Sequence, residues 1–318
     1  MDIVLTGSVA FDYLMTFPGL FKDYFLPDKL EQISLSFLVD SMVRRRGGIA
    51  PNIAYTLALL GSRPRVMATV GEDFADYRSQ LESVGVNTSL MKVIPGEFTA
   101  SFFCNTDQSN AQIASFYPGA MNYAGQLSFH DLEQKPDWVV ISPNSPDSMV
   151  KYPQECQDLG ISYLYDPSQQ IPRMTGEDLR SGVEGASALM VNDYEFELIR
   201  KHTGMSESGI LEGRQFTVVT RGAEGASIYI NGEEIRTPVV PPKKILDPTG
   251  VGDAFRGGFL TGFSYGLDWE ICGKMGALAA TYCLEHEGPQ EHSFTPQEFV
   301  ARFREHFEDG GALNRLAA

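Results

Sequence analysis

The run DPTGVGDAFRGGF, residues 247–259, concentrates the residue types best suited to chemistry. Glycines at 250 and 252, with Val251 between them, let a loop turn successive backbone N–H groups toward one point. The apolar residues that follow predict a helix opening at that loop, and a helix N-terminus favours negative charge. Together these make a phosphate cradle. Asp253 places a carboxylate in the same cradle, a poor choice for anion binding alone. It makes sense if the carboxylate takes a proton from a hydroxyl that attacks a phosphoryl group. The alternative is an Asp that caps a Gly-rich packed helix and does no chemistry.

Other constellations are weaker. No GxxxxGK[ST] run exists, and Gly250-Val251-Gly252 is followed by Phe255 where a dinucleotide fingerprint needs glycine. Cys104, Cys156, Cys272 and Cys283 are widely spaced, which suits buried reduced thiols better than zinc or disulfides. His286 and His292 lack metalloprotease spacing. With 41 acidic against 25 basic residues the net charge is −16, which argues against nucleic acid and anionic lipid as partners. The one basic run, Arg44-Arg45-Arg46, reads as a solvated strand end rather than a phosphate contact. No apolar run approaches the roughly 18 residues of a membrane span, and Met1 to Leu5 lacks the basic start of a secretory signal. A soluble, cytoplasmic protein is expected.

The elements that must position Asp253 alternate along the chain. Short apolar runs at 3–5, 66–70, 138–141, 163–165, 188–191 and 216–219 read as buried parallel strands. Helical patterns lie between them, such as 52–60 with Pro51 before it and Gly61 after. The rhythm predicts an α/β fold, a doubly wound, mostly parallel sheet with helices on both faces. Residues 33–37 alternate at period two, and 99–105 with 111–116 read as a hairpin. These predict a small β-sheet lid built from segments about 13–40 and 98–118 within one domain, 1–318. Asn231-Gly232 marks a second hairpin with a type I′ turn.

The residues 247–259 resemble the C-terminal signature of the ribokinase-like (PfkB) sugar and nucleoside kinases, and GGIAPNIA at 47–54 resembles their N-terminal one. The resemblance implies Asp253 as the base, with Gly250, Val251 and Gly252 stabilising the transferring phosphoryl group. It implies Asn192 and Glu195 as an NxxE element that organises Mg²⁺ through water, suited to a hard cation that keeps its waters. Thr220, Gly222 and Gly225 would form the nucleotide-side turn, with Asn192 and Gln290 also on the ATP side. Asp247 and Thr249 lie where many relatives bind K⁺. On the acceptor side Asp12 would hold the sugar hydroxyls, helped by Ser8, Ser36, Gly48 and Asn52.

Within the family, LSFLVD at 35–40, AQIASFYPGAM at 111–121 and DPSQQ at 166–170 are similar to bacterial adenosine kinases. That similarity implies Phe102 and Phe116 stacking on the base, with Gln169 and Gln170 reading its edge. The expected reaction is ATP plus adenosine giving ADP plus AMP, in a homodimer joined through the lid. Another nucleoside (inosine, guanosine, cytidine) or a furanose sugar is the nearest alternative. A non-catalytic nucleoside binder is the rival from another class, and it gains little from a carboxylate at the phosphate.

Overall fold

The computed structural model describes residues 1–25 and 34–317. Along the chain come β1 (Ile3–Thr6), β2 (Ala10–Thr16), β3 (Ser41–Gly47), α1 (Ile49–Leu59), β4 (Arg65–Met67), β5 (Thr69–Val70) and α2 (Ala75–Ser83). Next are β6 (Lys92–Val93), β7 (Ala100–Thr106), β8 (Gln112–Tyr117), β9 (Trp138–Ile141), α3 (Pro146–Leu159), β10 (Ser162–Tyr165) and α4 (Gly176–Gly185). The chain continues through β11 (Ala188–Asn192), α5 (Asp193–Thr203), α6 (Glu207–Leu211), β12 (Phe216–Thr220), β13 (Ala226–Ile230) and β14 (Glu233–Thr237). It closes with α7 (Val251–Ser264), α8 (Trp269–Leu284) and α9 (Pro296–His306).

Eight strands form one sheet in the order β14-β13-β12-β11-β10-β9-β1-β4. From β4 to β12 every pairing is parallel; β13 and β14 add an antiparallel hairpin. The parallel strands are continuous apolar runs because both faces are covered. Alternate residues serve opposite cores. Leu5, Val140, Leu164 and Met190 pack with Phe255 and Phe259 of α7 on one face. Val4, Val139, Tyr163 and Leu189 pack with Tyr152 of α3 and Ile199 of α5 on the other. A fully buried Phe or Leu in such a layer is worth roughly 1.5–3 kcal/mol. At Gly258 a β-carbon would stand 2.5 Å from the Met275 carbonyl oxygen, so this glycine lets α7 lie directly against α8.

A second sheet, β3-β2-β7-β8, stands beside the first. Its β2/β3 and β7/β8 pairs are antiparallel and β2/β7 is parallel. The hairpin expected at 99–105 and 111–116 is β7 and β8. Asn231 and Gly232, with φ of 51° and 84°, make the type I′ turn between β13 and β14.

Four expectations need correction. Residues 34–37 form no strand, and Ile33 lies outside the described residues. Phe37 instead packs edge-on against Phe17, Phe21 and Tyr24, an aromatic cluster that accounts for its burial without a ladder. The lid strand lies instead at 41–47 as β3, which Arg44-Arg45-Arg46 hid because no apolar alternation marks it. The run 66–70 is split into β4 and β5. Finally, α1 starts at Ile49, ahead of Pro51, because a proline in the first helical turn lacks only an N–H that has no partner there.

Candidate active site

Parallel strands deliver their C-terminal ends to one edge of the sheet, where open α/β folds place ligands. A cavity of about 590 Å³ lies along that edge. Its walls include Ser8 after β1, Asp166, Ser168 and Gln169 after β10, Asn192 ending β11, Glu195 on α5 and Thr220 ending β12. The loop 247–250 and the start of α7 close one side. Asp12 and Leu14 of β2, Phe102 of β7 and Phe116 of β8 close the other.

Gly250 is the N-cap of α7 with φ of 76°, and a β-carbon there would stand 2.3 Å from Pro289 Cβ. Only glycine fits both demands. Asp253 is therefore not the cap; it sits in the first helical turn with its carboxyl on the cavity. Its Oδ2 accepts a hydrogen bond from Asn52 Nδ2 at 2.8 Å. Asn52 is held in turn: its Oδ1 accepts from Gln290 Nε2 at 2.8 Å. Gln290 also donates to the Tyr77 hydroxyl, which donates to the Gly47 carbonyl at 2.9 Å. This chain of donors fixes which way the Asn52 amide points. Burial pushes the Asp253 carboxyl up to about 6, with Arg256 and Asn52 pulling it down and Glu195 pushing it further up.

The small sheet presents one cross-strand row to the cavity. Arg45 pairs with Asp12, Asp12 with Phe102, and Phe102 with Phe116. All four line the wall, so two aromatic residues on neighbouring strands share it with a carboxylate. Burial, and then the nearby Asp247, raise the Asp12 carboxyl to about 6. Arg45 is no solvated strand end: its Nη2 donates to Glu287 Oε2 at 2.9 Å and its Nη1 to the Glu287 carbonyl at 2.5 Å.

Asn192 and Glu195 form a capping box. Asn192 Oδ1 accepts from the Glu195 N–H at 2.7 Å and Glu195 Oε2 from the Asn192 N–H at 2.9 Å. Glu195 Oε1 accepts from the Ser168 hydroxyl at 2.8 Å. Both residues nevertheless line the cavity. No group of three or more His, Cys, Asp or Glu residues among the described residues closes on a metal ion. Asp247 and Thr249 meet in a tight turn, with the Thr249 N–H donating to Asp247 Oδ1 at 2.8 Å.

The structure brings Ser8, Asp12, Gly48, Asn52, Phe102, Phe116, Gln169, Asn192, Glu195, Thr220, Asp247, Thr249, Gly250, Gly252 and Asp253 to one cavity. It leaves others off the wall. Gln170 is 5% exposed and faces the core, because successive residues of the 3₁₀ turn Ser168–Arg173 point in different directions. Ser36 is exposed away from the cavity, outside any strand that would aim it inward. Gln290 is 4% exposed, its donors spent on Asn52 and Tyr77. Gly222 and Gly225 shape the turn into β13, where a β-carbon at Gly225 would strike the Thr237 carbonyl. Val251 starts α7 beside the wall rather than on it. Sequence reasoning missed Asp166 and Arg256, joined by a buried 2.8 Å ion pair. The signal for Arg256 was a charge set in an apolar helix.

An eight-stranded, mostly parallel sheet between helical layers, flanked by a four-stranded sheet at its ligand edge, defines a ribokinase-like kinase fold. Residues 9–296 match the family described as pfkB family carbohydrate kinase, and the chain belongs to that family. A nucleoside kinase of Methanocaldococcus jannaschii is 28% identical over 306 residues, 96% of this chain and 97% of that one. The structure of Burkholderia thailandensis nucleoside kinase in complex with inosine is similar with a TM-score of 0.87 at 35% identity, covering 96% of this chain and 99% of that one. The same enzyme in complex with ADP-inosine gives a TM-score of 0.84 at 37% identity, covering 96% of each chain.

Proposed function

We propose that this chain is a nucleoside kinase that transfers the γ-phosphoryl group of ATP to the 5′-hydroxyl of a nucleoside, with adenosine as acceptor. One observation carries the reading: a carboxylate inside a phosphate cradle shares a cavity with the row Asp12–Phe102–Phe116. A sugar needs only hydroxyl partners, whereas aromatic side chains from two neighbouring strands beside a carboxylate suit a flat base joined to a diol. Names of relatives support the nucleoside, and the inosine complex of the Burkholderia enzyme makes inosine the second candidate.

Asp253 accepts the hydroxyl proton, and the N–H groups of 250–253 stabilise charge on the transferring group. Asp12 holds the ribose hydroxyls. Phe102 and Phe116 stack on the base, and Gln169 reads its edge. ATP lies on the Thr220 and Asn192 side of Gly250–Gly252. The side-chain oxygens of Asn192 and Glu195 are already hydrogen-bonded, yet they face the cavity, so they fit Mg²⁺ held through water. When bound, that ion neutralises the nucleotide phosphates. A K⁺ ion near Asp247 and Thr249 belongs to the same reading, tested by turnover in KCl against NaCl.

In this reading the chain is one kinase domain whose small sheet is a lid, and closing it excludes water from the transfer. The lid exposes Met42, Phe103 and Ile113, apolar surface suited to a second copy, so we read the protein as a homodimer. Sedimentation showing only monomer at micromolar concentration would contradict that. The deciding experiment is a product assay with ATP and adenosine, inosine, guanosine, cytidine, ribose and fructose. Faster phosphorylation of a free sugar than of any nucleoside would sink the nucleoside reading.

A further inference from the structure

Of the ion pairs among the described residues, Arg45–Glu287 alone joins the small sheet to the main body. It spans 242 residues of chain, from β3 to the turn that follows α8. The contact is made twice. Arg45 Nη2 donates to Glu287 Oε2 at 2.9 Å, and Nη1 donates to the Glu287 carbonyl at 2.5 Å. Gly288 makes room for it: its φ is 105°, and a β-carbon there would stand 3.1 Å from Arg45 Cδ. Arg45 Nε is buried without a partner, an unpaired donor that stability alone does not call for.

The residues after Glu287 give the contact its reach. Pro289 lies against Gly250, where a β-carbon would stand 2.3 Å from Pro289 Cβ. Gln290 holds Asn52, and Asn52 donates to Asp253. On the other side Arg45 is the register partner of Asp12, and both line the cavity. Contacts therefore run without a break from Asp12, through Arg45 and the strap 287–290, to the N-cap glycine of α7 and to Asp253. An exposed ion pair by itself adds little to the stability of a fold. One that crosses the mouth of a cavity can instead weight a closed arrangement against an open one.

We propose that Arg45 and Glu287 form a clasp that ties phosphoryl transfer to a bound nucleoside, with Arg45 a positioning residue that acts through the strap 287–290. The inference rests on reading the small sheet as a lid and a nucleoside as the acceptor. When the lid settles on an acceptor held at Asp12, Arg45 seats on Glu287. The strap then presses Pro289 toward Gly250 and fixes Gln290 on Asn52. Without an acceptor the clasp is open, and ATP is spared from water.

The test compares ADP released with nucleoside monophosphate formed, using adenosine and inosine. It adds kcat, KM for ATP, and small-angle scattering with and without nucleoside. The wild type should form one monophosphate per ADP and contract when nucleoside binds. Arg45→Gln and Glu287→Gln should each lower kcat about tenfold and leave KM for ATP unchanged. Both should release ADP in excess of monophosphate, matched by inorganic phosphate, water having taken the place of the 5′-hydroxyl. The double variant should be no worse than Arg45→Gln, and Arg45→Lys should recover part of the loss. A merely structural role would lower rates at an unchanged product ratio, and that result overturns the proposal. So do losses that multiply in the double variant, or a raised KM for ATP in Arg45→Gln, which would put the guanidinium on the nucleotide. Should Arg45→Gln fail to fold, Glu287→Gln decides, and a one-to-one ratio there is equally fatal. A wild type that does not contract removes the lid reading as well, and one that phosphorylates neither nucleoside removes the acceptor. If the wild type does both and the variants keep its product ratio, the clasp alone is overturned.

Discussion

Asn52 and Asp253 are separated by 201 residues of chain, yet the amide of one donates to the carboxylate of the other at 2.8 Å. The first turn of α1 and the first turn of α7 thus meet at a single hydrogen bond. A donor aimed at a carboxylate favours the ionised form, which is the form the proposed base needs. Burial works against it and outweighs both Arg256 and Asn52, so the carboxyl is pushed up to about 6.

Replacing that carboxylate isolates its chemistry. Asp253→Asn keeps the shape and loses the base, so kcat should fall roughly 10²–10⁴-fold with KM for both substrates nearly unchanged. Steady-state kinetics check this, and near-normal turnover would remove the assignment. In the wild type the rate should decline as pH falls through about 6, where Asp253 takes up its proton.

The same group should cost stability. Its folded pKa lies above the value in the unfolded chain, so the native state holds the proton more tightly. The penalty is full above about pH 6 and fades as pH falls toward the unfolded value near 4. Asp253→Asn should therefore have a higher Tm than wild type at pH 7.5, with the gap closing by pH 4.5. Calorimetry showing the same gap at both values would refute this.

Gln290 lies off the cavity wall, yet it orients Asn52. Gln290→Leu removes that anchor and leaves the Asn52 amide free to turn its oxygen toward Asp253. Losing one buried hydrogen bond costs about 1–3 kcal/mol, so kcat should drop about tenfold or more while KM changes little. A variant with only an altered KM for ATP would put Gln290 at the nucleotide instead.

Phe116 lies beside Phe102 on the cavity wall and is 43% exposed, so it packs little of the core. Stacking a base on one ring is worth roughly 1–3 kcal/mol. Phe116→Ala should weaken the nucleoside by about tenfold or more and leave ATP affinity unchanged, measured by titration calorimetry with each ligand. Equal losses for both ligands would mean the ring serves the lid rather than the base.

The sequence by itself determined most strands of the large sheet, the glycine loop at 250–252 and the carboxylate that follows it. Buried parallel strands must be apolar on both faces, so β1, β9, β10, β11 and β12 were legible within a residue or so. Gly250, Gly252 and Asp253 were legible as a loop and helix start because a left-handed N-cap demands glycine and a carboxylate among glycines stands out locally. β3 was not, since an edge strand of arginines carries no apolar period. Tertiary structure alone decided which polar residues face the cavity and which support it from behind. Gln169 and Gln170 are adjacent in sequence, but one lines the wall and the other is buried. Gln290 reaches the site only through Asn52, and the Asp166–Arg256 pair spans 90 residues. Such partnerships depend on long-range packing, and a burial cost that only the assembled core imposes selects them.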